Sequence, residues 1–159
     1  MSYSAIKTLH ILSMVLLFGT GFGSAFYKWM ADRSGRVETI ATTNRHVVLA
    51  DWLFTTPTIL FQPISGLWML SQLQLPLATN WVLVSLALYV LAGCCWLPVV
   101  WLQIRMRDLA TQALRLGHPL PQRYWQYARY WFYLGLPAFL AMVMVVVLMV
   151  GKHVPGANG

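Results

Sequence analysis

The sequence predicts an all-α polytopic membrane protein: one bundle of four transmembrane helices with both termini outside. Three observations lead there. Of 159 residues, 58% are hydrophobic and only 9% are charged, where ordinary soluble domains carry about 25% charged residues. The charges cluster, and the clustering leaves four nearly charge-free stretches, about Ile6–Ala25, Val47–Leu70, Trp81–Gln103 and Tyr130–Val150. Each is long enough to cross a ~30 Å hydrocarbon core as a helix, which takes roughly 20 residues. The strands of a membrane barrel would be about 10 residues long and would alternate. With their flanks, the helices are expected at about 5–26, 47–71, 80–116 and 122–151, within a single domain covering residues 1–159.

The net charge of +7 has a topological reading. Lys28, Arg33, Arg36 and Arg45 lie between the first two helices. Arg105, Arg107, Arg115, Arg123 and Arg129 lie between the last two. Only Lys7 and Lys152 fall elsewhere. Positive charge marks the cytoplasmic side, so both basic segments are expected there. A nucleic-acid partner would need a basic face on a folded domain, and the charge-poor spans offer none. The expected partner is the lipid bilayer. Cleavage after Gly23-Ser24-Ala25 would export the first basic segment, so the first helix is expected to be retained.

The first helix carries Lys7-Thr8-Leu9-His10 and then Gly19-Thr20-Gly21-Phe22-Gly23. No strand precedes these glycines, so a nucleotide-binding loop fails its context. Gly19 and Gly23, four apart, predict close approach of a neighbouring helix. Tyr27–Arg45 reads as a polar loop with room for a short helix. The second helix holds Asp51, Pro57 and Pro63, the third Pro98 and the fourth Pro137. Prolines bend helices, and bent helices leave space inside a bundle. Cys94 and Cys95 are adjacent on the third helix, which suits packing better than a structural disulfide. That helix continues past the membrane through Leu109, Ala110, Ala113 and Leu116, at helical spacing, and stops at Gly117. Pro121 and Gln122 open the fourth helix. Tyr124, Trp125, Tyr127, Tyr130, Trp131 and Tyr133 follow as an aromatic belt at headgroup level. The glycine-rich segment from Lys152 reads as a mobile tail.

Two places could carry chemistry. Asp51 is the only acidic residue inside the four runs. An ionisable group at membrane depth faces the bundle interior and has a partner. At about 1.5 Å per residue, Asp51 lies level with Gln103 and Arg105. An Asp51–Arg105 ion pair is the first expectation, with Arg45, Arg107 or Lys28 as further candidates; a proton-coupling role is the alternative. His10 lies about 7 Å inside the opposite apolar boundary. Met14 shares its face. Gln62, Ser85, Tyr89, Met142 and Met144 lie at similar depth, with Met144 closer to His10 in level than Met142. A histidine with methionines suits haem or soft copper. The plainer reading is a hydrogen bond from His10 to a carbonyl or to Gln62. His46, His118 and His153 fall at a boundary, in a loop and in the tail. The chain has no His-x-Glu, Glu-x-x-His or Cys-x-x-Cys set, so hydrolytic metal chemistry and serine-type triads lack their parts.

Several strings resemble known families. Ala31-Asp32-Arg33-Ser34-Gly35, the run Val48–Pro57 and the run Trp96–Arg107 are similar to an uncharacterised bacterial family of predicted four-helix integral membrane proteins, along nearly the whole chain. Lys7-x-x-His10, Thr55-Thr56-Pro57 with Gly66-Leu67, and Asn80-Trp81 more distantly resemble HemJ-type and CopD-like membrane proteins. The distant resemblance implies a haem b-binding, redox-associated protein of the bacterial inner membrane, or one linked to copper, with a pocket around His10. HemJ-type members open the third helix with Trp-x-His-x-Lys, whereas here Leu83 and Ser85 stand at those positions. Bis-histidine haem between the first and third helices is therefore unavailable, and haem would need Met144, Met142 or an open sixth position. Two other roles fit the residues: a non-enzymatic accessory or assembly protein without cofactor, and a small proton-coupled transporter subunit. A bundle this small is expected to act as a homo-oligomer or with a membrane-complex partner.

Overall fold

The structure is a computed structural model and describes residues 2–151. Lys152, His153 and the rest of the glycine-rich tail lie outside the described residues. Helix α1 spans Tyr3–Ser34. The Ser2 hydroxyl caps it by accepting from the Ala5 N–H at 3.3 Å. It ends at Gly35, whose φ of +67° suits a residue without a Cβ. Residues 27–34 are thus helical rather than loop. Lys28 and Asp32, four apart, close an ion pair along one face.

Only Gly35 and Arg36 separate α1 from α2, Val37–Ala50. The second crossing therefore begins ten residues earlier than the hydropathy of Val47 suggested. It continues through a π-helical turn, Asp51–Thr55, into α3, Thr56–Gln72. The wide turn has a local cause. Pro57 offers no N–H and its ring crowds the carbonyl four residues back, so the chain widens before it. The Thr56 hydroxyl then donates to the Asp51 carbonyl at 2.9 Å, and the Thr58 hydroxyl serves the Phe54 and Thr55 carbonyls. The Thr55-Thr56-Pro57-Thr58 string supplies both the disruption and its repair.

Helix α4 runs Asn80–Leu116 and stops at Gly117, φ +65°. Helix α5 runs Gln122–Gly151. The crossings formed by α1, by α2 with α3, by α4 and by α5 are each long and apolar enough to span a membrane.

The core sits at the basic end, where Ala31, Ile40, Ala41, Leu102, Met106, Ala110 and Tyr124 pack together. Here α4 lies against α5, α1 against α2, and α2 joins the two pairs by packing on α4. Among the described residues a buried polar knot ties α1, α2 and α5. Lys28 Nζ donates to Asp32 Oδ2 at 2.7 Å and to the Tyr124 hydroxyl at 3.0 Å. That hydroxyl also accepts from Asn44 Nδ2 at 2.9 Å and donates to Asp32 Oδ1 at 2.6 Å. Tyr124 is therefore a fully buried hub and no part of an interfacial belt. Trp125, Tyr130 and Tyr133 do face outward.

Away from this knot the two helix pairs diverge. The backbones of α1 and α5, and of α3 and α4, barely approach one another. Phe18 and Phe22 of α1 reach Phe139 of α5 across the gap, with ring centroids 5.6 and 6.3 Å apart. Gly19 and Gly23 do not mediate close packing, because a Cβ at either would meet nothing within 4 Å. Cys94 is exposed rather than buried in packing.

Candidate functional site

The divergence leaves two cavities along the bundle axis. The first lies near the end that holds the N-terminus, has a volume of about 450 Å³ and is lined by His10, Met14, Gln62, Gly66, Ser85, Met142 and Met149, with Lys7 and Trp81 at its mouth. That volume falls within the roughly 300–1,000 Å³ typical of small-molecule sites. The second lies towards the basic end, measures about 380 Å³ and has Asp51, Gln103 and Trp131 among mainly apolar walls. Tyr89 and Met142 line both. A third hollow at the basic end, lined by Arg45, Trp52, Arg107, Asp108 and Arg115, is open. Arg107 is already paired there with Asp108 at 2.8 Å.

His10 is buried and its orientation is set from α3. Nδ1 lies 2.7 Å from Ser65 Oγ. The Ser65 hydroxyl has a single proton, which is directed at backbone carbonyls of its own helix, Phe61 at 2.7 Å and Gln62 at 3.2 Å. Ser65 therefore accepts from Nδ1–H, which places the imidazole lone pair on Nε2. Nε2 is buried and has no hydrogen-bond partner. The backbone of α1 is anchored at the same level, since Gln62 Nε2 donates to the His10 carbonyl at 2.9 Å. Gly66 lets α3 pass beside the ring: a Cβ there would lie 3.6 Å from His10 Cε1. The sequence reading paired His10 with a carbonyl or with Gln62. Gln62 is present, but it binds the backbone, and Ser65 holds the ring.

Of the two candidate methionines, only Met142 lines this cavity. Met144 is 46% exposed and faces away. Residues two apart point nearly opposite ways on a helix, so depth favoured Met144 while azimuth selects Met142. Met149, two turns on from Met142, joins the same wall.

The expected Asp51–Arg105 pair does not form. Arg105 is exposed, with its guanidinium over the Trp101 ring at 5.4 Å. Asp51 is buried, Oδ1 accepts from the Thr55 hydroxyl at 2.8 Å, and the Gln103 side chain approaches the same carboxyl from α4. Gln103 and Arg105 lie about 200° apart around the helix axis, so only one can face inward. Lys28, Arg45 and Arg107 do not pair with Asp51 either; Lys28 is held by Asp32.

Tyr89 closes a gap that Pro63 opens. Proline at 63 leaves the Ile59 carbonyl without its usual donor, and the Tyr89 hydroxyl donates to that carbonyl across the α3–α4 interface. Tyr89→Phe is expected to lower stability by about 1–3 kcal/mol, the loss from stranding a buried acceptor, read as a lower midpoint of thermal unfolding in detergent.

Sequence reasoning missed Ser65, Trp131, Met149 and the Lys28 knot. The four-residue spacing of Lys28 and Asp32 was a usable signal for the knot. Nothing in the local sequence singles out Ser65, whose role depends on the rotation of α3 against α1. Among the described residues, no three His, Cys, Asp or Glu side chains converge as a metal site.

Neither the search of curated proteins nor that of solved structures returned a match. A family model described as predicted integral membrane protein (DUF2269) matches residues 4–153. With nearly its whole length covered by that match, and with four helices fit to cross a bilayer, the chain belongs to this family of multi-pass integral membrane proteins.

Proposed function

We propose that the cavity around His10 binds haem b, in a protein of the bacterial inner membrane whose basic end faces the cytoplasm. The observation that carries this reading is the buried, unpartnered Nε2 of an imidazole whose other nitrogen is held by Ser65. Metal-binding histidines are oriented by such a bond at the second nitrogen. The other residues fit the group. Apolar walls suit a porphyrin, Lys7 at the mouth offers a cation for propionates, and Met142 or Met149 offers a soft second ligand. A bare copper ion is less well served, because among the described residues no second imidazole or thiol lines this cavity.

Haem b, when bound, supplies one-electron chemistry. The chain's own part is to present Nε2, to hold its ring plane through Ser65 and Gly66, and to keep water away with Leu67, Leu86 and Val145.

Protein expressed with added haem is expected to show a Soret band and stoichiometric iron, both lost in His10→Ala. Met142→Ala or Met149→Ala should shift the spectrum, and Met144→Ala should leave it unchanged. Ser65→Ala should weaken retention about 10–100-fold. Colourless wild-type protein, or haem retained by His10→Ala, would overturn the proposal. The remaining reading would then be an accessory or assembly protein without cofactor.

A further inference from the structure

The second cavity carries a separate inference, because it contains buried polar atoms that the fold leaves unused. Trp131 Nε1 is a donor without an acceptor, and Gln103 Oε1 is an acceptor without a donor. Both residues line the cavity, as does Asp51, whose Oδ1 is already taken by Thr55. Unsatisfied buried groups of this kind are expensive at membrane depth. Two orphans of opposite type at one site indicate a missing partner that both accepts and donates.

The space is built rather than accidental. Gly21, Gly93 and Gly135, from three different helices, all line it, and a Cβ on any of them would meet nothing within 4 Å. Membrane helices usually use glycine to bring backbones together; these three instead leave a void. Water could bridge the two polar atoms, but an apolar cavity of this size stays dry over most of its volume. The cavity also reaches the lipid-facing surface, since Phe22 of α1 and Phe132 of α5 line it and are 65% and 56% exposed.

The lining selects the occupant. Asp51 is its one ionisable carboxyl, and no free cation lies there among the described residues. Lys28 sits over the Trp131 ring at 5.4 Å but is 1% exposed and held by Asp32 and Tyr124. An anionic head would meet the carboxyl without compensation, so the ligand head carries no negative charge. Phe18, Trp96 and Phe139 give the walls aromatic faces and edges, which favour a ring over a bare chain.

We infer that this cavity is a binding site for a lipid-soluble hydroquinone. One ring hydroxyl donates to Gln103 Oε1 and its oxygen accepts from Trp131 Nε1–H. The apolar tail leaves between α1 and α5 past Phe22 and Phe132. The site is independent of the haem reading and shares only the Tyr89 and Met142 wall with it.

The test uses the full chain in phosphatidylcholine nanodiscs with a short-tailed azidohydroquinone as photolabel and decylubiquinol as competitor. Labelling is expected in peptides covering residues 17–25 and 131–142, and excess decylubiquinol should suppress it. Gly135→Leu and Gly93→Leu fill the cavity and should abolish labelling with the unfolding midpoint retained. Gln103→Leu should weaken binding about tenfold, the effect of one buried hydrogen bond. His10→Ala should leave labelling unchanged, which separates failure of this site from failure of the haem site. If the leucine variants do not fold, Gln103→Leu decides: unchanged labelling overturns the inference. Equal competition by dodecanol would overturn the ring requirement and leave a lipid tail as the occupant. Absence of competed labelling would overturn the site altogether, with water satisfying the two atoms.

Discussion

Replacing Asp32 with alanine is expected to destabilise the bundle by about 3–5 kcal/mol, the usual consequence of stranding one member of a buried ion pair. Lys28 is 1% exposed, and its ammonium has two polar partners, Asp32 and Tyr124. Removing the carboxylate leaves that charge with a phenol oxygen and two aromatic faces. It also takes away the acceptor of the Tyr124 hydroxyl. The double variant Lys28→Met with Asp32→Leu removes both charges and should recover most of the loss, because well-packed apolar residues often replace a buried pair at little net cost. Thermal unfolding of the three proteins in one detergent gives the comparison. An Asp32→Ala midpoint equal to wild type would show that the knot adds nothing. Asp108→Ala is the matching control: the Arg107–Asp108 pair is exposed and should contribute about 0–1 kcal/mol.

Met106→Ala is expected to cost about 2–5 kcal/mol, the range for truncating a long apolar side chain in a packed core. Met106 is fully buried where α4 meets α2 and α5, beside Ile40, Ala41 and Tyr124. These contacts hold the two helix pairs together, so the loss falls on the joint that sets the divergence of the bundle. Truncating it should leave a cavity that four helices cannot easily close. Met144→Ala removes the same atoms from a side chain 46% exposed and should change stability by less than about 0.5 kcal/mol. Equal effects of the two substitutions, measured as unfolding midpoints, would contradict this account of the core.

The basic end is tightly knit, whereas the rest of the bundle is held by side chains that bridge a gap. The two axial cavities sit in the loosely joined part. The Thr55-Thr56-Pro57-Thr58 repair, together with Tyr89 reaching the carbonyl exposed by Pro63, lets proline-bearing helices stand apart without stranding these backbone groups. Space inside this bundle is therefore a property of the prolines and of the hydroxyl groups that compensate for them.

Some of the site was legible in advance. His10 is marked by chemistry alone, as an imidazole inside a greasy helix, and Asp51 is marked in the same way. Their partners were not legible. Depth along a helix accumulates at a constant rise and can be counted from the sequence. Azimuth turns by about 100° per residue, so an error of one or two positions reverses the face. Depth put Met144 nearer than Met142 to the level of His10, and charge put Arg105 first as the partner of Asp51, but azimuth brings Met142 and Gln103 to the cavities. The reading of residues 27–45 as a loop with room for a short helix fell short for a different reason, since α1 runs on to Ser34 and α2 starts at Val37. Polarity there was read as exposure, while Lys28 and Asn44 are polar because they are buried against each other's partner, Tyr124.

The sequence by itself determined an all-helical protein with four crossings that dissolve in lipid, because transfer into hydrocarbon is a sum over residues and needs no knowledge of neighbours. Only the tertiary structure decided which ionisable groups pair, which nitrogen of His10 is left bare and where the glycines open space. Those outcomes depend on the rotation and tilt of each helix against the next, and here a π turn, the prolines inside α3, α4 and α5 and one polar knot bear on both.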